Sequence, residues 1–290
     1  MCIFLFLRWN EVGAVFAFLV RRWIAGEKME DALRKAKEFN EDRMTVLLNQ
    51  LGENVLQTKP AERAVSDYRE LLSAIVERGI RGCISVKLTQ LGLTFDKALC
   101  LRGLRTIVED AKRSGTMVWL DMEDYRFTDD TLEVYFDLLD EYDGVAVCIQ
   151  GNLKRSEGDI RRILARNGRI RLVKGAYRED PEIAYRTKEE VNQNFGKLME
   201  LLFKEGKRFA IGSHDDGFVD RAVELNRDYG RDLEFQLLMG IRDDLKRQLV
   251  EKGHRVSVYI PYGKGWMAYI YRRIREKPGN ILLVARSLLP

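Results

Sequence analysis

The sequence predicts an α/β fold, a (β/α)8 TIM barrel led by an N-terminal helical region. Two observations carry this expectation. Short β-branched or apolar runs recur eight times, at 45–51, 83–88, 117–122, 145–149, 170–174, 209–212, 233–237 and 256–261. Charged segments with helical spacing separate them, at 61–78, 96–114, 129–142, 159–167, 188–205, 218–229 and 243–252. Strands alternating with helices point to a parallel sheet, because parallel neighbours need a long crossover. Eight such units at a spacing of about 30 residues point to closure into a barrel. A doubly wound sheet is the main rival, but it would carry a Gly-rich fingerprint after its first strand. The first strand here runs into QLGEN, which is no such fingerprint.

Only five prolines occur and no Gly/Ser-rich linker divides the chain. The expected organisation is therefore a helical arm at 1–40 and a barrel at 41–290. The 290 residues suit one barrel of roughly 250 with an extension. The formal net charge of +4 is spread through interspersed Lys, Arg, Asp and Glu, which argues against a nucleic-acid partner. Cys2, Cys83, Cys100 and Cys148 form no C-x-x-C pair, and His214 and His254 lie far apart. No metal site is expected.

The first 23 residues are apolar but interrupted by Arg8 and Glu11. The longest uncharged stretch, 12–20, is shorter than the roughly 20 residues a bilayer span needs. A basic n-region and a small-residue cleavage site are both lacking, so a signal peptide fits poorly. Two readings stand: a helix packed on the barrel, or an interfacial helix with Trp9, Arg21, Arg22 and Trp23 at the water boundary.

Chemistry in a barrel of this kind sits at the carboxyl ends of the strands. Alternation in ISVKLTQLGL places Ser85, Lys87 and Thr89 on one face and the apolar residues on the other. Lys87 then points into the barrel, where it is costly unless an anion meets it. Asp121 shares the face of Met117 and Trp119 in MVWLDMED. Arg171, Gln236 and Tyr259 fall on the same kind of face in later strands, with Glu234 before Gln236. Together they make a polar pocket, unless some sit at the strand bottoms and pair there. The final helical segment, WMAYIYRRIRE, puts Tyr269 three and four residues before Arg272 and Arg273. Paired guanidiniums beside a tyrosine suit a small carboxylate, although in isolation a solvated basic face near a helix C-terminus is the favoured reading.

The strings SVKLTQLGL (85–93), LDMED (120–124), RLVKGAYRE (171–179), EFQLLMG (234–240), YIPYG (259–263) and YRRIRE (271–276) resemble the proline dehydrogenase family in its monofunctional bacterial and archaeal form. The similarity runs from about residue 24 to the C-terminus, and RLVKGAY with the double arginine is its most specific element. The resemblance implies a distorted barrel whose last helix lies over the strand C-terminal ends, bound FAD, and oxidation of L-proline to Δ1-pyrroline-5-carboxylate with a membrane quinone as electron acceptor. It implies a cytoplasmic protein, or one peripheral on the inner face of the cell membrane.

Residue by residue, the resemblance implies that Lys87, Arg272 and Arg273 hold the proline carboxylate and that Tyr259, Tyr269 and Leu238 enclose the ring. Asp121 would orient Tyr259, and Arg171 would sit near the flavin. Met122, Gln150, Lys174, Gly175, Ala176, Ser213 and His214 would line the FAD site, and Glu53 would be a gate pairing with Arg272. Two departures touch the FAD site: Asn152 stands where the family usually has an aromatic, and Gly212-Ser213 where it usually has Ala-Thr. The rivals are a catalytically silent barrel that only binds, and a barrel enzyme for phosphorylated substrates.

Overall fold

Every one of the eight apolar runs is a strand. The structure is a computed structural model that describes residues 21–266 and 269. The strands are β1 (Thr45–Gln50), β2 (Gly82–Val86), β3 (Val118–Leu120), β4 (Val145–Gln150), β5 (Arg169–Val173), β6 (Arg208–Gly212), β7 (Asp232–Leu238) and β8 (Arg255–Tyr262). They pair in parallel, in chain order, and β1 closes on β8. The described helices are α1 (Met29–Glu41), α2 (Thr58–Glu77), α3 (Lys97–Ser114), α4 (Thr128–Leu139), α5 (Ser156–Leu164), α6 (Lys188–Glu205), α7 (Asp216–Tyr229) and α8 (Asp243–Glu251).

Alternation sorts each strand into two faces. Val46, Leu48, Ile84, Val86, Val118 and Leu120 join the layer between strands and helices. Leu47, Trp119, Ala146 and Ala210 pack inside the barrel with Cys83, Met117 and Tyr259. The helices bury one stripe each; α3 buries Cys100, Leu104, Ile107, Val108 and Ala111 at spacings of three and four. Asp96 caps α3 by accepting the Leu99 amide at 2.8 Å, and Thr187 with Glu190 forms a capping box at α6.

Small residues make room for large ones in the barrel interior. Ala146 sits beside Trp119 in register, and Ala210 beside Arg171. Two alanines thus leave the space that an indole and a guanidinium occupy.

Helix α1 lies against β1 and β8, over the closing seam. The chain just before it runs beside the end of β8: the Ala25 amide donates to Pro261 O at 3.0 Å, and Gly263 N to Gly26 O at 2.9 Å. Arg22 Nε donates to Gly240 O at 2.9 Å, and Trp23 is 7% exposed. Trp23 therefore packs on protein rather than facing a water boundary. Trp9 and the rest of 1–20 lie outside the described residues, as does the placement of the last helix over the strand ends. Among the described residues no helix is long and apolar enough to cross a membrane.

Candidate active site

Side chains from β2, β5 and β8, with Lys87 just after β2, converge on one carboxylate at the end of β3, and β7 joins through Arg171. Asp121 follows the last residue of β3, and its backbone amide still donates to Val86 O at 2.9 Å, which fixes the side chain inward. Its Oδ1 accepts Ser85 Oγ at 2.7 Å and a close contact from Arg171 Nη2. Its Oδ2 accepts the Tyr259 hydroxyl at 2.7 Å and Lys87 Nζ at 3.3 Å. Arg171 Nη1 donates onward to Gln236 Oε1 at 3.1 Å. The guanidinium carbon of Arg171 stands 5.3 Å from the Trp119 ring and 5.6 Å from the Tyr259 ring.

Asp121 is 6% exposed and Arg171 5%. Burial alone would push the Asp121 carboxyl up. Lys87 and Arg171 outweigh it, helped by the Tyr259 and Ser85 hydroxyls, and hold the carboxyl well below the usual range. Burial opposes the Lys87 charge too, but Asp121 foremost, then Tyr177, Glu123 and Glu53, raise it above an ordinary lysine. Tyr259 is pushed up by burial and by Asp121, so its phenol keeps the proton it donates. Lys87 and Arg171 thus share Asp121 in a buried pocket, with Glu123 and Glu53 acting on Lys87 from farther off.

The sequence-predicted set is largely brought together. Lys87, Asp121, Arg171 and Tyr259 form the hub; they pair with one another, but at the carboxyl ends rather than at the bottoms. Leu238 ends β7 next to Tyr259 in register, and its amide donates to His214 Nε2 at 3.0 Å. That nitrogen is therefore the acceptor, and the imidazole proton belongs on Nδ1. Tyr269 is 6% exposed, and Glu53 lies close enough to Lys87 to act on its charge. Arg272 and Arg273 lie outside the described residues.

The residues assigned to a cofactor form a second group beside the hub. Met122, Gln150 and Ser213 are buried at the ends of β3, β4 and β6. Lys174 and Gly175 follow β5, with Ala176 next. Lys174 Nζ pairs with Asp215 Oδ2 at 2.9 Å and lies 4.6 Å from the Phe218 ring. Gly175 has φ of 108°, and a Cβ there would fall 2.0 Å from Asn152 Oδ1. Asn152 in turn staples the segment after β5: its Nδ2 donates to Tyr177 O at 3.3 Å, and its carbonyl accepts the Tyr185 amide at 2.8 Å. Gly212 is constrained differently, because a Cβ would come 2.8 Å from Val173 Cγ1. The two departures from the family pattern are thus each fitted to a neighbour.

Sequence reasoning missed Glu123 and the part Thr89 plays. The strand alternation of β2 stops at Lys87, because Leu88–Leu91 forms a 3-10 turn. Thr89 is therefore carried onto the Glu123 carboxylate. The signal was present: Glu123 follows Asp121 by two residues, on the same parity. Among the described residues no group of three or more His, Cys, Asp or Glu side chains could hold a metal ion.

A closed (β/α)8 barrel with a buried cluster of paired charges at its strand carboxyl ends is the architecture of a barrel enzyme acting on a small polar substrate. The sequence model of the proline dehydrogenase family matches residues 32–284. Proline dehydrogenase 1 of Bacillus subtilis (strain 168) is 33% identical, over 99% of this chain and 98% of its own length. The proline dehydrogenase of Deinococcus radiodurans is 36% identical, over 93% of this chain and 90% of its own. Among solved structures, proline utilization A (PutA) from Bdellovibrio bacteriovorus, inactivated by N-propargylglycine, matches with a TM-score of 0.83 at 26% identity. That match covers 89% of this chain and 32% of the larger one, so the chain spans about a third of that protein's length. The chain belongs to the proline dehydrogenase family, a family of proline oxidoreductases.

Proposed function

We propose that this chain oxidises L-proline to Δ1-pyrroline-5-carboxylate, with FAD as cofactor and a membrane quinone as final acceptor. The observation that supports it best is the Asp121 hub, which holds the Lys87 ammonium and the Arg171 guanidinium together inside the barrel. Lys87 would give its ammonium to the substrate carboxylate, joined by Arg272 and Arg273. Planar guanidiniums suit that group because their paired N–H bonds match both carboxylate oxygens. Tyr259, Leu238 and Tyr269 would close around the pyrrolidine ring. Asp121 would keep the Tyr259 ring and Lys87 in place, so that the ring carbon beside nitrogen is presented in one orientation. Glu53, beside Lys87, would act as the gate whose carboxylate the substrate carboxylate displaces.

The residues present suit a flavin on three counts. The backbone at Gly175 is bare and has no room for a side chain. Asn152 Oδ1 is buried with no hydrogen-bond partner. Arg171 supplies a buried cation, with Lys174 a second on the rim. Met122, Gln150, Arg171, Lys174, Gly175, Ala176, Ser213 and His214 would hold the group. When bound, FAD would accept the hydride from the carbon next to the substrate nitrogen. A neutral amine is needed for its lone pair to assist, and positioning can supply much of the rate without a dedicated base.

The division into an arm at 1–40 and a barrel at 41–290, and a peripheral contact of that arm with the inner face of the cell membrane, belong to the same proposal. Binding of tetrahydrofuran-2-carboxylate, a proline analogue, tests the substrate class. It should compete with L-proline, whereas a sugar phosphate should not; the reverse would favour a barrel enzyme for phosphorylated substrates. Protein that binds the analogue and carries flavin but turns over no proline would favour a catalytically silent barrel.

A further inference from the structure

Glu123 is a buried acid that the proposed chemistry leaves unused. It is 3% exposed, and burial pushes its carboxyl up from the usual range. Both oxygens are nonetheless committed to one residue: Oε1 accepts the Thr89 amide at 3.0 Å and Oε2 accepts the Thr89 hydroxyl. Thr89 in turn holds the segment after β1. Its Oγ1 accepts the Asn54 amide at 2.9 Å, and its carbonyl accepts the Val55 amide at 3.1 Å. Asn54 itself sits at φ of 54°, a left-handed conformation that needs such a tether. The backbone of Glu123 is pinned on the other side, where Gln150 Nε2 donates to its carbonyl at 2.9 Å.

We infer that Glu123 is a positioning residue: through Thr89 it holds the 51–57 segment, and with it Glu53, at a fixed distance from Lys87. The inference rests on the reading of Lys87 as a ligand of the substrate carboxylate. The hydroxyl of Thr89 is the pivotal atom, because it donates to Glu123 and accepts from Asn54 at once. The backbone donors fix the direction of that relay: the Thr89 amide can only donate to Glu123, and the Asn54 amide can only donate to the Thr89 hydroxyl, whose own proton then goes to Glu123. Glu53 carries a negative charge toward Lys87, so a displaced segment changes how readily the ammonium meets an incoming carboxylate. Nothing in the relay reaches the reacting carbon, so its loss falls on binding rather than on turnover.

Thr89→Val keeps the shape and removes the hydroxyl; Thr89→Ser keeps the hydroxyl. The expected result has two parts. In Thr89→Val the Asn54 and Val55 amides exchange with solvent deuterium on the order of ten-fold faster, while amides of β1 and β2 hold their protection. The KM for L-proline changes by about ten-fold, with kcat and flavin content within about two-fold of the parent. Thr89→Ser restores both, and Glu123→Gln reproduces the exchange effect in part. The inference is overturned if Thr89→Val leaves exchange at 54–55 at the parental rate, or if Thr89→Val and Thr89→Ser lose kcat and flavin alike. Should the parent oxidise no proline, the functional reading fails, and the exchange experiment still decides whether the relay holds the segment.

Discussion

The Tyr259 hydroxyl donates a 2.7 Å hydrogen bond to Asp121 Oδ2 across 138 residues of sequence. That bond joins β8 to the end of β3, three strands apart around the barrel. Arg171 approaches the other oxygen of the same carboxylate from β5. One carboxylate thus sets the relative positions of a phenol, an ammonium and a guanidinium contributed by three other strands.

Removing that carboxylate should cost both stability and activity. Asp121→Ala leaves Lys87 and Arg171 buried without their counter-charge, which costs about 3 kcal/mol of stability. A loss of about a hundred-fold in kcat/KM should accompany it. The pH dependence gives a second handle. The carboxyl is depressed in the folded state, so its stabilisation is present above the ordinary aspartate value near 3.8 and fades as pH falls below it. Denaturant titrations of the parent and Asp121→Asn should differ by a constant amount from pH 8 down to about 5, then converge in stronger acid. A gap that widens on acidification would contradict this assignment.

Tyr259 should decide ring selectivity. Its phenol is held against Asp121, so the ring fills the space a substituent on the substrate would need. Replacing it by serine should raise kcat/KM for trans-4-hydroxyproline relative to L-proline by about ten-fold or more. Steady-state comparison of the two substrates reads this directly; an unchanged ratio removes Tyr259 from specificity.

Gly175 should tolerate no side chain. Gly175→Ala adds a Cβ at φ of 108° and 2.0 Å from Asn152 Oδ1. About 1–3 kcal/mol of strain follows, with loss of bound flavin. Adding Asn152→Ala relieves the clash but not the backbone conformation, so flavin content and melting temperature should recover only in part. Full flavin content in the single variant would remove Gly175 from the cofactor site.

Arg273 should be worth roughly 3 kcal/mol of transition-state binding, near a hundred-fold in kcat/KM on replacement by alanine. A variant within a factor of about three of the parent would rule out the carboxylate clamp.

Strand positions were legible because alternation is enforced wherever one face meets helices and the other meets the barrel interior. Lys87, Asp121, Arg171 and Tyr259 fall on the interior parity, and burial of charge there demands a partner. The reading failed where a strand ends. Thr89 follows the parity of Lys87 in sequence, but the 3-10 turn at Leu88–Leu91 takes it to Glu123 and the Asn54 amide. Period-two reasoning has no access to that contact. The stapling of the segment after β5 by Asn152 was equally hidden, because its side-chain amide and its backbone carbonyl reach the backbone of residues 25 and 33 positions later. Trp23 invited a membrane reading by composition, yet it is buried in the fold.

The decisive experiment is anaerobic addition of L-proline to the purified, flavin-loaded protein while the visible absorbance of the flavin is followed. Saturating L-proline should bleach the flavin, and strongly more slowly in Asp121→Ala. Flavin-loaded protein whose spectrum stays unchanged with L-proline would contradict the proposed function.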